Sequence, residues 1–239
     1  MAWPSVPLRP ASGGVGRGGG VSAPLLSYAV AVASEPDWLS WVRTLEAIAQ
    51  AGLNYASDEY DVARYQDVRR IAAEIAAARS DTSAEVIERM FAAESGHPTP
   101  KVDVRAAVVV SGEILLVRER SDGQWTLPGG WADPGESPAE AVTREAREEA
   151  GVEVRAVKLI ALYDRVHQGH PPYPFSVYKA VFACEPLGEV DPHPSGETDG
   201  AAFFDPAALP QLSPGRTTSA QIARALAHHA DPSLATEFD

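Results

Sequence analysis

Three glutamates, Glu145, Glu148 and Glu149, lie close together in the sequence, and the nearest cations are Arg144 and Arg147. If this stretch is helical, successive residues turn by about 100° and the three carboxylates share one side of the helix. Like charges at such spacing destabilise a helix. Grouped carboxylate oxygens suit Mg²⁺ or Mn²⁺, which commonly share them with substrate phosphates. An exposed acidic helix face is the alternative that the acids alone leave open.

The residues around these glutamates predict where the helix begins and ends. Ser137 is a good N-cap, Pro138 suits the first helical position, and Glu140 completes a capping box with Ser137. Gly151 is placed to end the helix. One apolar stripe, which we expect to pack on a sheet, consists of Ala139, Val142, Ala146 and Ala150. The glutamates lie on a different side of the predicted helix from this stripe.

Residues 130–152 resemble the Nudix box, which is Gly, five residues, Glu, seven residues, then Arg-Glu-U-x-Glu-Glu-x-Gly-U, where U is apolar. Every fixed position of the box is filled, by Gly130, Glu136, Arg144, Glu145, Glu148, Glu149 and Gly151. Ala146 and Val152 occupy the apolar positions, and residues 127–130, Leu-Pro-Gly-Gly, are similar to the loop that leads into the box in this family. The match of the whole segment favours a metal site over an exposed acidic face.

The resemblance implies a fold and a reaction. The fold is of the α+β class, a Nudix α/β/α sandwich with a mixed sheet, here preceded by a small all-α domain. The reaction is magnesium-dependent hydrolysis of a pyrophosphate, with Mn²⁺ as the alternative cofactor. The implied metal ligands are Glu136, Glu145, Glu148 and Glu149, with Arg144 clamping a carboxylate. The general base is a box glutamate or a downstream acid, for which Glu197 is the candidate; an exposed loop acid is its other explanation.

Segments outside the box resemble one Nudix subgroup. Residues 45–53 and 60–65 are similar to its N-terminal helical domain, and so are residues 163–179, 203–205 and 209–213 to its catalytic domain. The subgroup is named for hydrolysing nucleoside diphosphates linked to another moiety and includes CDP-choline pyrophosphatases. A CDP-alcohol such as CDP-choline is therefore the first substrate hypothesis. The alternatives are ADP-ribose or another ADP-sugar, a broad nucleotide-pool hydrolase, and a non-catalytic nucleotide-binding module, which the complete box argues against.

Candidate substrate contacts lie on both sides of the box. Arg118 and Arg120 could pair with phosphates or solvate a strand end, and Trp131 or Trp125 could stack on a base or belong to the core. The full candidate set is Arg118, Arg120, Gly130, Trp131, Arg165, His170 and Lys179. His167 and His170 lack the company of a zinc site. His228 and His229 are expected at the surface near a helix C-terminus.

The chain divides by composition into four parts. Residues 1–35 begin Gly-, Pro- and Ser-rich and continue into a short apolar segment; they suggest a disordered leader, a secretory signal or a start codon chosen too far upstream. Residues 36–95 carry three helical patterns, with Gly52 predicted to stop the first and Thr82 and Glu85 to cap the third. Residues 96–101 form a turn-rich linker, and residues 102–239 form the Nudix domain. The helical domain is expected to mediate a homodimer.

Strand patterns dominate the Nudix domain. Residues 102–110 and 114–118 are strand-like around a turn at Ser111 and Gly112, which predicts a hairpin. Further strands are expected near residues 152–163, 175–184 and 201–204, and a C-terminal helix at about 216–229. Strands on both sides of a central helix indicate a mixed α/β sandwich.

Composition limits the partners and the compartment. The formal net charge of −13 argues against binding nucleic acid through phosphate contacts alone, which needs clustered Lys and Arg. We expect a small nucleotide substrate and no stable nucleic-acid partner. Cys184 is the only cysteine, which excludes an intramolecular disulfide and favours a reducing, cytoplasmic location. No apolar stretch approaches the roughly 18 residues that a membrane span needs.

Overall fold

The computed structural model describes residues 36–194 and 196–239, so the expectations for residues 1–35 fall outside the described part. The chain separates into two compact units. One, the helical unit, contains the described residues up to Thr99 together with Pro172–Phe175. The other, the α/β unit, contains Pro100–Pro171 and Ser176–Asp239. None of the helices in the described ranges is both long and apolar enough to cross a bilayer.

The helical unit consists of three helices, as the patterns predict. They are α1 (Asp37–Tyr55), α2 (Glu59–Ala77) and α3 (Ala84–Ala92). Their shared core contains Val42, Ala72, Ala73, Ala76, Ile87 and Phe91. Two predicted ends are wrong. Helix α1 continues through Gly52, and the missing side chain there leaves room for α2, since a Cβ would be 2.3 Å from the Tyr65 ring. Helix α3 has Ser83 rather than Thr82 as its N-cap.

Two kinds of contact hold the helical unit together besides its apolar core. Arg69 and Glu46 form a buried ion pair, with Arg69 Nε 3.2 Å and 3.3 Å from the two carboxylate oxygens. The late segment Pro172–Phe175 joins this unit through an edge-to-face contact between Phe175 and Phe91. Residues far apart in the sequence therefore share one core.

The α/β unit contains one mixed sheet and two helices. Its elements are β1 (Lys101–Val110), β2 (Glu113–Glu119), β3 (Trp125–Thr126), α4 (Pro138–Ala150), β4 (Val154–Asp164), β5 (Val177–Pro186), β6 (Thr198–Phe204), α5 (Ser219–Ala230) and β7 (Glu237–Phe238). The strand order is β3-β2-β1-β5-β4-β7, with β6 paired to β2. The β1–β5 and β4–β7 pairs are parallel and the others antiparallel. The predicted β1–β2 hairpin is confirmed, with positive φ at Ser111 and Gly112.

Alternation along the strands places α4 and α5 on opposite faces of the sheet. In β2, Leu115 and Val117 belong to the core beneath α4, whereas Ile114 and Leu116 belong to the core beneath α5. The predicted α/β/α sandwich is therefore confirmed. The two-residue strand β7 was not predicted, because a pattern that short carries no periodicity.

His228 corrects a prediction. It lies in the last turn of α5 as expected, but the residue is only 3% exposed. Neither ring nitrogen has a hydrogen-bond partner among the residues that the structure describes. Burial lowers the pKa of His228, because a charged imidazole loses solvation in the interior.

We expect His228 to make the fold sensitive to acid. Its pKa is lower folded than unfolded, so the neutral ring's contribution to stability is complete above about pH 6.5 and is lost as the pH falls below that value. Thermal unfolding of wild type and H228L, measured from pH 7.5 to 5.0, should show a smaller acid-dependent loss of Tm in H228L. Parallel curves for the two proteins would contradict this assignment.

Candidate active site

The loop that precedes the box pairs with strand β1. We call residues 127–130 the glycine loop. The amide of Val104 donates to the Gly130 carbonyl at 2.8 Å, and that of Ala106 donates to the Pro128 carbonyl at 2.8 Å. Gly129 between them has a φ of +146°, and a Cβ there would lie 2.0 Å from the Val104 carbonyl oxygen. Only glycine fits at this point.

Helix α4 begins and ends as the sequence predicts. Ser137 and Glu140 form a complete capping box, and Gly151 closes the helix in the left-handed conformation with a φ of +68°. The packed face differs from the predicted stripe, because Ala139 is exposed and Ala141 is buried in its place. Glu145 and Glu149 also point into the buried face, with 8% and 6% exposure.

Arg144 is the cation around which three box glutamates gather. Its guanidinium binds both oxygens of Glu136, at 2.8 Å and 3.1 Å. Nη1 also donates to Glu145 and to Glu148, each at 3.0 Å. The hydrogen bonds from Arg144, reinforced by the backbone amide of Asp133, lower the pKa of Glu136 to about 2. Glu136 is therefore ionised and fixed in orientation.

Glu149 is held by the glycine loop rather than by Arg144. The Gly129 amide donates to its carboxylate at 2.8 Å. Burial raises the pKa of Glu149 to about 8, while Arg105 acts in the opposite direction. Burial also raises the pKa of Glu145, whose carboxylate packs so closely on Gly130 that a Cβ there would lie 2.8 Å from Oε1. These are carboxylates whose negative charge the surrounding protein compensates only in part.

The donor set fits a divalent cation by its chemistry. Four carboxylates lie just before helix α4 or on one side of it, and two of them are desolvated. Mg²⁺ and Mn²⁺ favour such hard oxygen ligands. Within the described ranges, no group of three or more His, Cys, Asp or Glu side chains is arranged to hold a metal ion. Arg144 occupies oxygens of Glu136, Glu145 and Glu148. Binding a metal there requires Arg144 or these carboxylates to shift.

The two arginines before the box are engaged within the protein. Arg118 pairs with Asp199 at 2.6 Å and lies over the ring of Trp125 at 5.8 Å. Arg120 Nε donates to the Thr198 carbonyl at 3.1 Å. A phosphate would compete with these partners.

The aromatic candidates differ in their surroundings. Trp125 packs edge-to-face on Phe204, with ring centroids 4.6 Å apart, which makes it part of the core. Trp131 is half-buried, its backbone bridges to Asp103, and its carbonyl accepts a 3.4 Å hydrogen bond from Arg144. Of the two rings, Trp131 is the one beside the box residues.

The predicted substrate contact at Lys179 needs correction. The residue is only 1% exposed, and its side chain donates to Asp103 at 2.9 Å. Burial lowers the pKa of Lys179 to about 7, although Asp103 acts to raise it. Lys179 is therefore buried beside Asp103 of the neighbouring strand β1 rather than open to a substrate.

His170 and Arg165 order the connection between β4 and β5. Gln221 accepts from the Thr218 amide through Oε1, so its amide nitrogen, 3.1 Å from His170 Nε2, donates to that ring atom. His170 Nδ1 then donates to the Pro214 carbonyl at 2.7 Å. Burial lowers the pKa of His170 to about 3, so the ring is neutral. Arg165 is buried and donates to the Pro171 carbonyl at 2.6 Å.

The sequence analysis did not predict several residues that lie near the box. Glu119 ends β2, pairs with Arg216 at 2.8 Å, and adds to the negative field that raises the pKa of Glu149. Asp103 and Arg105 form a buried pair on β1. Charged residues inside an otherwise apolar strand were the available signal for this pair. The position of Glu119 near Glu149 depends on tertiary structure alone.

Glu197 lies in the exposed loop before β6. Its neighbour Thr198 is buried and donates through Oγ1 to the Glu149 carbonyl at 2.7 Å. The start of β6 is therefore bonded to the box helix through a side chain, one residue after the candidate base.

Comparison with known proteins shows which families the chain matches. The family described as NUDIX domain matches residues 99–226, and the family described as UDP-X-like, N-terminal oligomerisation domain matches residues 36–91. "Putative ADP-ribose pyrophosphatase YjhB" of Bacillus subtilis is 41% identical over 202 residues, 84% of this chain and 97% of that protein.

Two solved structures are similar to this chain. A crystal structure of UDP-X diphosphatase is 30% identical, with a TM-score of 0.54 over 85% of this chain and 98% of that one. An ADP-ribose pyrophosphatase from Streptococcus suis 89-1591 is 39% identical, with a TM-score of 0.54 over 59% of this chain and 100% of that one.

We call the contacts of Arg144 with Glu136, Glu145 and Glu148 the Arg144 clamp. Its role can be tested with two conservative variants. Lysine cannot bridge three carboxylates as a guanidinium does, so R144K should lower kcat by roughly ten- to a hundredfold while the protein stays folded. Arg147 is 55% exposed and lies 3.6 Å from Glu148, so R147K is the matched control and should stay within about twofold of wild type. Nucleotide turnover and circular dichroism measure the two effects. Equal activities of R144K and R147K would show that the clamp has no catalytic role.

Proposed function

The chain belongs to the Nudix hydrolase family, and from this premise we propose that it hydrolyses the pyrophosphate of a nucleoside diphosphate linked to a second group. The products are a nucleoside monophosphate and the phosphorylated second group. The observation that carries the proposal is that two groups of the protein hold the four box carboxylates in place. Gly129 holds Glu149, and Arg144 holds Glu136, Glu145 and Glu148.

We propose Mg²⁺ as the cofactor, with Mn²⁺ as the alternative, held by Glu136, Glu145, Glu148 and Glu149. A bound divalent cation supplies positive charge at the pyrophosphate and helps to activate water for attack. The chain itself places the carboxylates. The capped start of α4 and the Arg144 clamp orient Glu136, and the glycine loop fixes Glu149. This preorganisation limits how far the carboxylates must move when a cation replaces Arg144 at their oxygens.

Glu197 remains our candidate for the residue that takes a proton from the attacking water. The support is its position, because Thr198 ties the loop to the carbonyl of Glu149. Around the same site, Trp131 and Gly130 are the proposed contacts nearest the box. Arg118, Arg120, Arg165 and His170 are proposed to act by shaping the substrate region, since each already has partners within the protein.

The second group of the substrate is proposed from the relatives. ADP-ribose comes first, because a protein named for ADP-ribose matches along almost its whole length. A UDP-linked compound comes second, because the UDP-X diphosphatase structure also covers both units. A CDP-alcohol, which the sequence resemblance favoured, has no counterpart in the names of these relatives. A CDP-alcohol is therefore the third substrate class that we propose to test.

We further propose that the helical unit forms a homodimer, in keeping with the family described as an oligomerisation domain. Helix α1 exposes Trp41, Ile48 and Tyr55, at 60%, 50% and 70%. Their spacing of seven residues places them on one stripe of the helix. A stripe of large apolar side chains exposed to water is typical of a surface that associates with another protein. The cytoplasmic location stays a prediction.

The proposed activity can be tested with a substrate panel and one isosteric change. Wild-type protein with Mg²⁺ is incubated with ADP-ribose, UDP-glucose and CDP-choline, and added phosphatase releases phosphate only from cleaved products. We expect EDTA-sensitive turnover, and a loss of about a hundredfold or more in E148Q because a carboxylate ligand is removed. E153Q, an exposed glutamate just beyond the box, is the control. Unchanged turnover in E148Q would refute the metal assignment.

The proposed dimer can be tested by placing a charge on the α1 stripe. We expect wild type at micromolar concentration to scatter light with twice the monomer mass. I48E should shift toward the monomer, because an ionised carboxylate cannot be buried without a partner. L187E, at a residue 62% exposed in the α/β unit, is the control and should keep the wild-type mass. A monomeric wild type would contradict the proposal.

A further inference from the structure

Three buried charges lie side by side on the parallel strands β1 and β5. Asp103 is opposite Lys179 in the strand register, and Arg105 is two residues further along β1. Arg105 binds Asp103 in a two-bond fork, with Nε and Nη2 each 2.8 Å from a carboxylate oxygen. Lys179 donates to Oδ1 of the same carboxylate at 2.9 Å. These three residues are 5%, 4% and 1% exposed, and we call them the buried triad.

Stability alone does not account for the buried triad. Desolvating charged groups is costly, and well-packed apolar residues of similar volume often serve a core as well or better. Here one carboxylate, that of Asp103, accepts hydrogen bonds from two basic side chains, Arg105 and Lys179. Such a group is retained more readily where its directional hydrogen bonds fix a geometry that apolar contacts would leave loose.

The remaining donor of Arg105 points to the glycine loop. Nη1 lies 3.1 Å from the Leu127 carbonyl and 3.3 Å from the Thr126 hydroxyl. Thr217, just before α5, accepts from the Leu127 amide at 3.1 Å and lies 2.8 Å from the Thr126 hydroxyl. Leu127 is thus held at its amide by Thr217 and at its carbonyl by Arg105.

From Leu127 the chain leads directly to a box glutamate. The next residue, Pro128, is bonded to β1, and Gly129 fits against Val104 with no room for a side chain. The Gly129 amide then donates to Glu149. A small displacement of Leu127 would therefore move the Gly129 amide, two residues away, and with it the carboxylate of Glu149.

We propose that Arg105, oriented by Asp103 and Lys179, is a positioning residue that fixes the glycine loop and through it the carboxylate of Glu149. It is not a substrate ligand, because Nε, Nη1 and Nη2 are all bonded within the protein and the side chain is buried. The catalytic consequence rests on the proposed function. The positioning of the loop does not.

The first test compares R105K with R69K. Lysine keeps the charge of Arg105 but cannot form the fork to Asp103 while reaching Leu127. We expect kcat to fall by about tenfold or more, KM to change by less than about threefold, and Mn²⁺ affinity measured by electron paramagnetic resonance to weaken by about tenfold. R69K makes the same change at the buried Glu46–Arg69 pair of the helical unit and should leave all three unchanged.

The second variant, K179M, separates positioning from stability. Asp103 keeps Arg105 as its partner, so no unpaired charge is left in the interior and the Tm should not fall. We nevertheless expect kcat and Mn²⁺ affinity to fall by roughly threefold, since the orientation of Asp103 is loosened. If R105K does not fold, K179M decides the proposal. Activity and Mn²⁺ affinity within about twofold of wild type in the folded variants would overturn it.

Hydrogen exchange of residues 126–132 provides a readout that needs neither substrate nor metal. The amides of Leu127 and Gly129 are bonded to Thr217 and Glu149, so exchange should accelerate by at least about tenfold in R105K and remain unchanged in R69K. Unchanged exchange in R105K would overturn the positioning role. A wild type that neither binds Mn²⁺ nor hydrolyses any nucleotide would instead overturn the proposed function.

Discussion

The close contact between the glycine loop and strand β1 is the interaction on which the site depends. Val104 and Ala106 bind the loop through their backbone amides, and Gly129 permits an approach that any side chain would block. The contact brings the loop under helix α4, where Gly129 meets Glu149 and Gly130 meets Glu145. The box glutamates are therefore placed by a sheet–loop–helix arrangement rather than by their helix alone.

Opposing charge effects give this site its character. Burial raises the pKa of Glu149 and of Glu145, whereas Arg144 keeps Glu136 ionised. Glu145 and Glu149 are buried, whereas Glu148 on the same helix is exposed. The solvent exposure of the carboxylates therefore increases from the interior toward the surface. Such an arrangement suits a cation that binds protein oxygens on one side and substrate phosphates on the other.

The two units of the chain have separate physical tasks. The α/β unit contains every box residue, and its core lies on both faces of one sheet. The helical unit has a small core of its own and exposes large apolar side chains on α1. Between β4 and β5 the chain leaves the α/β unit for Pro172–Phe175, just after Arg165 and His170 are bonded within it. The connection that carries these two candidate substrate residues therefore contains residues of both units.

The sequence by itself determined the features that depend on neighbours a few residues apart. The capping box of Ser137 and Glu140, the stop at Gly151 and the hairpin at Ser111 and Gly112 are local hydrogen-bonding patterns, and all were predicted. The spacing of the box also identified the family before any fold was known. Local patterns fail where a distant element intervenes. Gly52 was predicted to stop a helix, but it serves the approach of Tyr65.

Tertiary structure alone decided which side chains meet across the sheet. Asp103 and Lys179 are 76 residues apart, and only the parallel register of β1 and β5 makes them partners. The same register buries Lys179, which the sequence placed at the substrate, while the packing of α5 buries His228. Periodicity tells which face of an element a residue occupies, but not what covers that face. That depends on strand order and register, which long-range packing sets.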